Sequence, residues 1–242
     1  MRYLVLSALF IFAASFPALA ADAELTLKGE RIFLAKGGQS TPLDQDMFPA
    51  QPIENTDMRF VGLGADSAAE HGVAPGLYLF KGDGPPEAFV PTDEAEFCAD
   101  VKFSPDMKIL AMDAGMSLVR NWLFFSYPDL KPWGQTVYYQ TEDNPTIIWL
   151  DEGGVLVSTM EQDEHGRACE YDPCGPVSVS YYNLKTRKSA KLLPGTDLCD
   201  YTLTGLNEDG TAAALEMCLA TPQAWKTFPD SSAAKAVTVK LP

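Results

Sequence analysis

FCADVKFSPDMKILAMD, running from Phe97 to Asp113, reads as an antiparallel hairpin. Alternating apolar residues Val101 and Phe103 lead into Ser104-Pro105-Asp106, and the alternation resumes at Ile109, Ala111 and Asp113. Pro105 supplies the fixed φ that the second position of a turn needs. Asp106 can hydrogen-bond the backbone close to it in sequence.

On either side of this hairpin the same short apolar alternation recurs, and helical periodicity is nearly absent outside the first twenty residues. Sixteen candidate strands separated by turn residues, with 18 Gly and 18 Pro, give an all-β fold class. Two segments break the pattern, Lys36–Asp57 and Ala65–Pro75, and both are expected to be long loops. On a β scaffold such loops are where binding resides.

The turn itself repeats. Phe103-Ser-Pro-Asp-Met-Lys108 aligns with Leu150-Asp-Glu-Gly-Gly-Val155 and with Leu206-Asn-Glu-Asp-Gly-Thr211, at spacings of 47 and 56 residues. Two further candidate strands follow each of the first two copies, giving four strands per unit. The string FSPDMK followed by ILA resembles the FSPDGK turn of TolB-like and WD40-like β-propeller repeats. YYNLKTRKSAKLL, Tyr181–Leu193, is similar to the outer hairpin of their blades. The resemblance spans roughly Phe97 to Leu241 and departs from the family pattern at Met107, where a Gly is usual. It implies a β-propeller-like fold of about four blades, the last short of one strand. Glu24–Leu27 is the expected closing strand that would fill that place. A two-sheet β-sandwich is the alternative architecture. Propellers host unrelated activities, so the resemblance implies no chemistry.

The N-terminus reads as an export signal. Arg2 precedes an apolar and small run from Tyr3 to Phe16, then Pro17-Ala18-Leu19-Ala20, so cleavage is expected after Ala20. Residues 21–242 then form a single domain in the periplasm or outside the cell, with no later run of membrane-spanning length. The chain carries a net charge of −15, and losing Arg2, the one charged residue of the first twenty, makes it −16. Such a surface is repelled by nucleic acid and by anionic membranes.

Five cysteines in an oxidising compartment favour pairs. If Leu206 faces Thr211, facing residues in that hairpin have numbers summing to 417. Cys199 and Cys218 meet the condition and are expected to form a cross-strand disulfide. Cys169 and Cys174 flank Glu-Tyr-Asp-Pro and form the second expected pair, which leaves Cys98 as a free thiol. With two histidines, no C-x-x-C and none of the hydrolase, phosphate-loop or dinucleotide motifs, no catalytic residue is assigned.

The densest polar stretch is the acidic loop Glu161–Asp172, in which Asp163, Glu164 and His165 are binding candidates. Its oxygens suit calcium, but it lacks the residue order of a calcium loop, so neither a cofactor nor a metal is assigned. Among the aromatic residues, Trp133 follows Pro132 in an expected loop and is the candidate for an exposed contact. The reading is an exported, monomeric binding module for a protein or small-molecule ligand. The alternative is a hydrolase using loop carboxylates on the same scaffold.

Overall fold

The computed structural model describes residues 23–45, 47–115, 119–139, 147–150, 153–160, 175–219 and 234–241. They form eighteen strands in five antiparallel sheets, and in each sheet consecutive strands lie side by side. The first sheet holds β1 (Ala23–Lys28), β2 (Arg31–Lys36) and β3 (Gln39–Pro42). The second holds β4 (Gln51–Pro52), β5 (Met58–Leu63), β6 (Gly76–Lys81) and β7 (Ala88–Pro91). The third holds β8 (Cys98–Phe103), β9 (Ile109–Ala114), β10 (Val119–Ser126) and β11 (Pro132–Tyr139). The fourth holds β12 (Ile148–Leu150), β13 (Gly154–Met160), β14 (Val177–Asn183) and β15 (Lys188–Leu193). The fifth holds β16 (Cys199–Leu206), β17 (Ala212–Cys218) and β18 (Lys235–Val239). The chain is all-β, and among the described residues it has five sheets, where about four blades were expected from the sequence and two sheets would make a sandwich.

Four apolar clusters hold the sheets together, one between each consecutive pair. Leu25, Leu27 and Ile32 of the first sheet pack on Val61, Leu63 and Phe80 of the second. Phe60, Leu77 and Leu79 face Val101, Leu110 and Met112 of the third. Trp122, Phe124 and Tyr138 face Val155, Val157 and Tyr182 of the fourth. Leu156 and Val179 face Leu203, Ala212 and Ala214 of the fifth. The pleat sends successive side chains to opposite faces. Leu110 and Met112 of β9 therefore enter one cluster, and Ile109 and Ala111 enter the next. All six residues of β9 are buried, which is why its sequence is a continuous apolar run with one interruption, Asp113.

The opening hairpin is where the sequence places it, with Phe103 opposite Leu110 and Val101 opposite Met112. Ser104 closes it. Its N–H donates to the Ile109 carbonyl at 2.9 Å, and its Oγ accepts from Ile109 N at 3.0 Å and donates to Asp106 Oδ1 at 2.8 Å. Lys108 and Ser104 together hold the Asp106 carboxyl down to about 2. Met107 sits at φ 56°, in the left-handed region that Gly enters without a Cβ clash. Gly210 (φ 77°) and Gly153 (φ 81°) serve the corresponding hairpins, β16–β17 and β12–β13. Met107→Gly is expected to raise stability by ~0.5–1 kcal/mol, read as a higher urea midpoint with unchanged m. An unchanged or lower midpoint would show that Met107 contributes packing that outweighs its backbone strain.

Three expectations are corrected. The segment Lys36–Asp57 contains two strands. β3 is exposed at every position, so it has no apolar alternation to read, and β4 is two residues long. Ala65–Pro75 contains a helix, α1 (Ala65–His71), seven residues long and therefore too short to show a period. Gly72, at φ 70°, terminates α1, its N–H donating to the last carbonyls, and Ala68 is buried beneath it. Finally, among the described residues the N-terminal strand does not join the fifth sheet. Glu24–Leu27 lies within β1, which pairs along its length with β2 in the first sheet.

Candidate functional site

From β4 onward, chain connections alternate between two ends of the molecule. At one end the turns are tight, the longest being Gly82–Glu87. The other end carries residues 64–75 with α1, residues 92–97 with a 3₁₀ turn and the shorter links 115–118 and 194–198; the strands flanking residues 140–147, 161–176 and 219–234 also end here, and most of those three segments lies outside the described residues. Neighbouring sheets are aligned like end to like end. At the tight-turn end, Arg59 pairs with Glu30 at 2.9 Å, Lys102 with Glu54 at 3.1 Å, and Leu27 bridges to Gly84. At the long-connection end, Asp200 Oδ1 accepts from Val177 N at 2.8 Å. Nearby, the buried Ser158 Oγ accepts from Leu203 N at 3.0 Å, stitching the fourth sheet to the fifth.

The binding candidates read from sequence separate along this axis. Trp133 is not in a loop. It is the second residue of β11, at the tight-turn end, and its Nε1–H donates to the Leu184 carbonyl at 2.8 Å while its ring packs on the cluster between the third and fourth sheets. Pro132 misled the reading because proline is tolerated as the first residue of a strand. Asp163, Glu164 and His165, with Cys169 and Cys174, belong to the connection that leaves β13 at Met160 and returns at Val177, both at the long-connection end. These five residues lie outside the described ones, and so does the calcium question attached to them.

Cys199 and Cys218 face each other at the long-connection end and are bonded, S–S 2.02 Å. Their sum of 417 is correct, although Leu206 faces Ala212 rather than Thr211. A β-bulge between Leu203 and Gly205 takes up the extra residue and restores the register before the cysteines. Cys98 is free, as expected.

Beside Cys98 lies a group of residues that sequence reading missed. Asp113 is 1% exposed at the end of β9. Its Oδ1 is 3.1 Å from Nε of Arg120, whose side chain is 11% exposed. The sheet register explains the meeting. Asp113 is opposite Trp122, two residues from Arg120 along β10, and Arg120 is opposite Tyr138 on β11, so all three share one face. Burial pushes the Asp113 carboxyl up to about 6, against the opposing pull of Tyr138 and Arg120. Burial and the Asp113 charge push both the Tyr138 phenol and the Cys98 thiol far up, so both stay protonated. The signal that was available is an acid inside the run Ile-Leu-Ala-Met-Asp-Ala, a strand buried on both faces.

Chemically this arrangement stores a proton near neutrality in a closed place. Tyr138 is fully buried, and Cys98 as a protonated thiol is no nucleophile. Hydrolysis by paired carboxylates needs both to reach a substrate, and the carboxyl raised here is covered. Among the described residues no group of three His, Cys, Asp or Glu side chains is placed to hold a metal ion. Among them also, no helix is long and apolar enough to cross a membrane.

No protein-family model matches the chain, and no curated protein matches it. Sixteen chains of solved structures match in shape. One is hydrazine synthase of Kuenenia stuttgartiensis, 12% identical with a TM-score of 0.41 over 78% of this chain. The match spans 59% of that chain's length, and at this distance it bears on neither chemistry nor partner.

Proposed function

We propose that the chain is an exported binding module whose five sheets are consecutive blades of a propeller-like scaffold, and that its ligand meets the long-connection end. The observation that carries this reading is the sorting of connections: from residue 64 onward every connection longer than six residues between the described strands joins strand ends at one end of the molecule, and no connection at the other end exceeds six residues. Rigid sheets that present variable loops at one end are the usual arrangement for recognition. The single apolar cluster between each consecutive pair of sheets supports the blade reading. The Cys199–Cys218 disulfide fits an oxidising compartment.

A photo-reactive residue at exposed Glu70, beside the long connections, should yield a crosslinked adduct in cells that export the chain. The same residue at exposed Glu208, in the tight turn between β16 and β17, should not. Adducts from Glu208 alone, or equal adducts from both positions, would place recognition elsewhere. Export itself is tested by sequencing the exported product, which is expected to begin at Ala21. Material still carrying Tyr3 to Phe16 would overturn the cleavage reading.

A further inference from the structure

The seam between the third and fourth sheets changes character along its length. At the tight-turn end it is apolar: Phe124 stacks on Tyr182 with ring centres 5.6 Å apart, and Ile109, Trp133 and Val155 belong to the same cluster. At the long-connection end the same two faces turn polar. Asp113, Arg120 and Tyr138 line it from the third sheet. On the fourth, strand alternation carries the face of Val155 and Val157 on to Thr159, with Ser180 opposite Val157 and Ser178 opposite Thr159. Ser178 and Ser180 are buried, and Thr159 Oγ1 lies 2.7 Å from Ser180 Oγ.

Asp113 is the carboxyl enclosed there. On its own sheet it meets Arg120 from β10, Tyr138 from β11, and Asp100 and Cys98 from β8, where Asp100 is itself paired with Lys102 at 3.4 Å. The face of the fourth sheet brings Val157 and the three hydroxyls, with exposed Lys191 opposite Ser180 on β15. In the link 92–97, Glu96 packs against Gly64, while the Phe97 carbonyl accepts from Arg120 Nη2 at 3.3 Å. Among the described residues β11 is the end strand of its sheet. Lifting Val137–Tyr139 from Val119–Asn121 therefore takes Tyr138 away and lets water reach Asp113.

From the buried polar row at one end of an otherwise apolar seam, we infer that this end is a pH-sensitive joint, closed while Asp113 is protonated and loosened once it is ionised. Burial raises the carboxyl to about 6 in the closed joint, and hydration returns it towards 3.8, so opening releases a proton. Opening is therefore disfavoured in acid and becomes easier as pH rises through 6. The difference of about two units bounds the change at about a hundredfold. Arg120 and Tyr138 pull the carboxyl down, but the net shift with both present is upward, so the sign holds. The inference does not depend on the ligand proposed above, because it concerns the packing of two sheets.

Hydrogen exchange of the full-length exported chain, with each rate divided by the intrinsic rate at that pH, tests the joint. Between about pH 4.5 and about pH 7.5, opening at Val119–Asn121 and Val137–Tyr139 should rise by about tenfold to a hundredfold. Leu123–Phe125 and Gln135, further along the same strands, should change by less than about threefold. Asp113→Asn should flatten the profile. Asp100→Asn, which removes a like charge and keeps an acceptor for Val101 N, should move the rise to lower pH, and it reads the joint if Asp113→Asn does not fold. A flat parent profile, a rise that survives Asp113→Asn, or an Asp100→Asn profile that stays in place would each overturn the assignment. An equal rise in both halves of the strands would do so as well, by showing the whole chain unfolding in place of a local joint.

Discussion

Asp113→Asn is expected to remove a fall in stability that the raised Asp113 carboxyl predicts for the parent chain as pH rises from about 4 to about 7. The folded carboxyl titrates near 6 and the unfolded one near its ordinary value of 3.8, so between these values the folded state holds the proton more tightly. A group of this kind favours the folded state most when protonated, at and below the unfolded pKa. That contribution is lost as pH rises through the folded pKa. The difference of about two units corresponds to ~3 kcal/mol across the window, an order-of-magnitude figure. The lowered carboxyls Asp106 and Asp209 act in the opposite direction and at lower pH, as their stabilisation disappears when they are protonated. The measurement is therefore a difference: urea unfolding of both chains at several pH values, with parent minus variant plotted against pH. The difference should decline with rising pH and flatten above about 7. Parallel profiles would show that Asp113 ionises without cost and that Arg120 fully compensates its burial.

Removing the Cys199–Cys218 bridge by Cys199→Ser with Cys218→Ser should cost ~3 kcal/mol. The bridge closes a loop with a sequence separation of 19, and the constraint it places on the unfolded chain scales with the logarithm of that length. The loss should appear as a lower denaturant midpoint and faster exchange in β16 and β17. Reductant should lower the parent's midpoint and leave the variant's unchanged. A variant as stable as the parent would mean that the bulged hairpin is held by its own ladder and by the cluster beneath Leu203.

This disulfide also shows how far the sequence reaches. Turn chemistry and alternation are local, so the hairpins at Ser104, Gly153 and Gly210, the all-β class and the bonded cysteine pair were all legible in the chain. The pairing was found from a register one residue off at the turn, and a bulge of the kind that sets Leu206 opposite Ala212 leaves no mark on alternation. Met107 was marked by its departure from glycine at a position that proves to be left-handed. The short helix α1 and the exposed strand β3 carry too little apolar pattern to announce themselves.

Of the candidate site, the sequence by itself determined the residue types: a free thiol at Cys98, an acidic stretch at Glu161–Asp172 and an indole at Trp133 following a proline. The tertiary structure decided what each can do, because burial, distance and charge depend on neighbours far away in the chain. It set Trp133 against the Leu184 carbonyl, and it enclosed Asp113 with Arg120 and Tyr138 so that burial raises its carboxyl to about 6. It also gave β1 to the first sheet, which leaves β18 as an edge among the described residues. Backbone hydrogen bonds and apolar alternation suit a strand equally to several sheets, and the choice among them is made by side-chain packing across sheets, which sequence pattern does not encode.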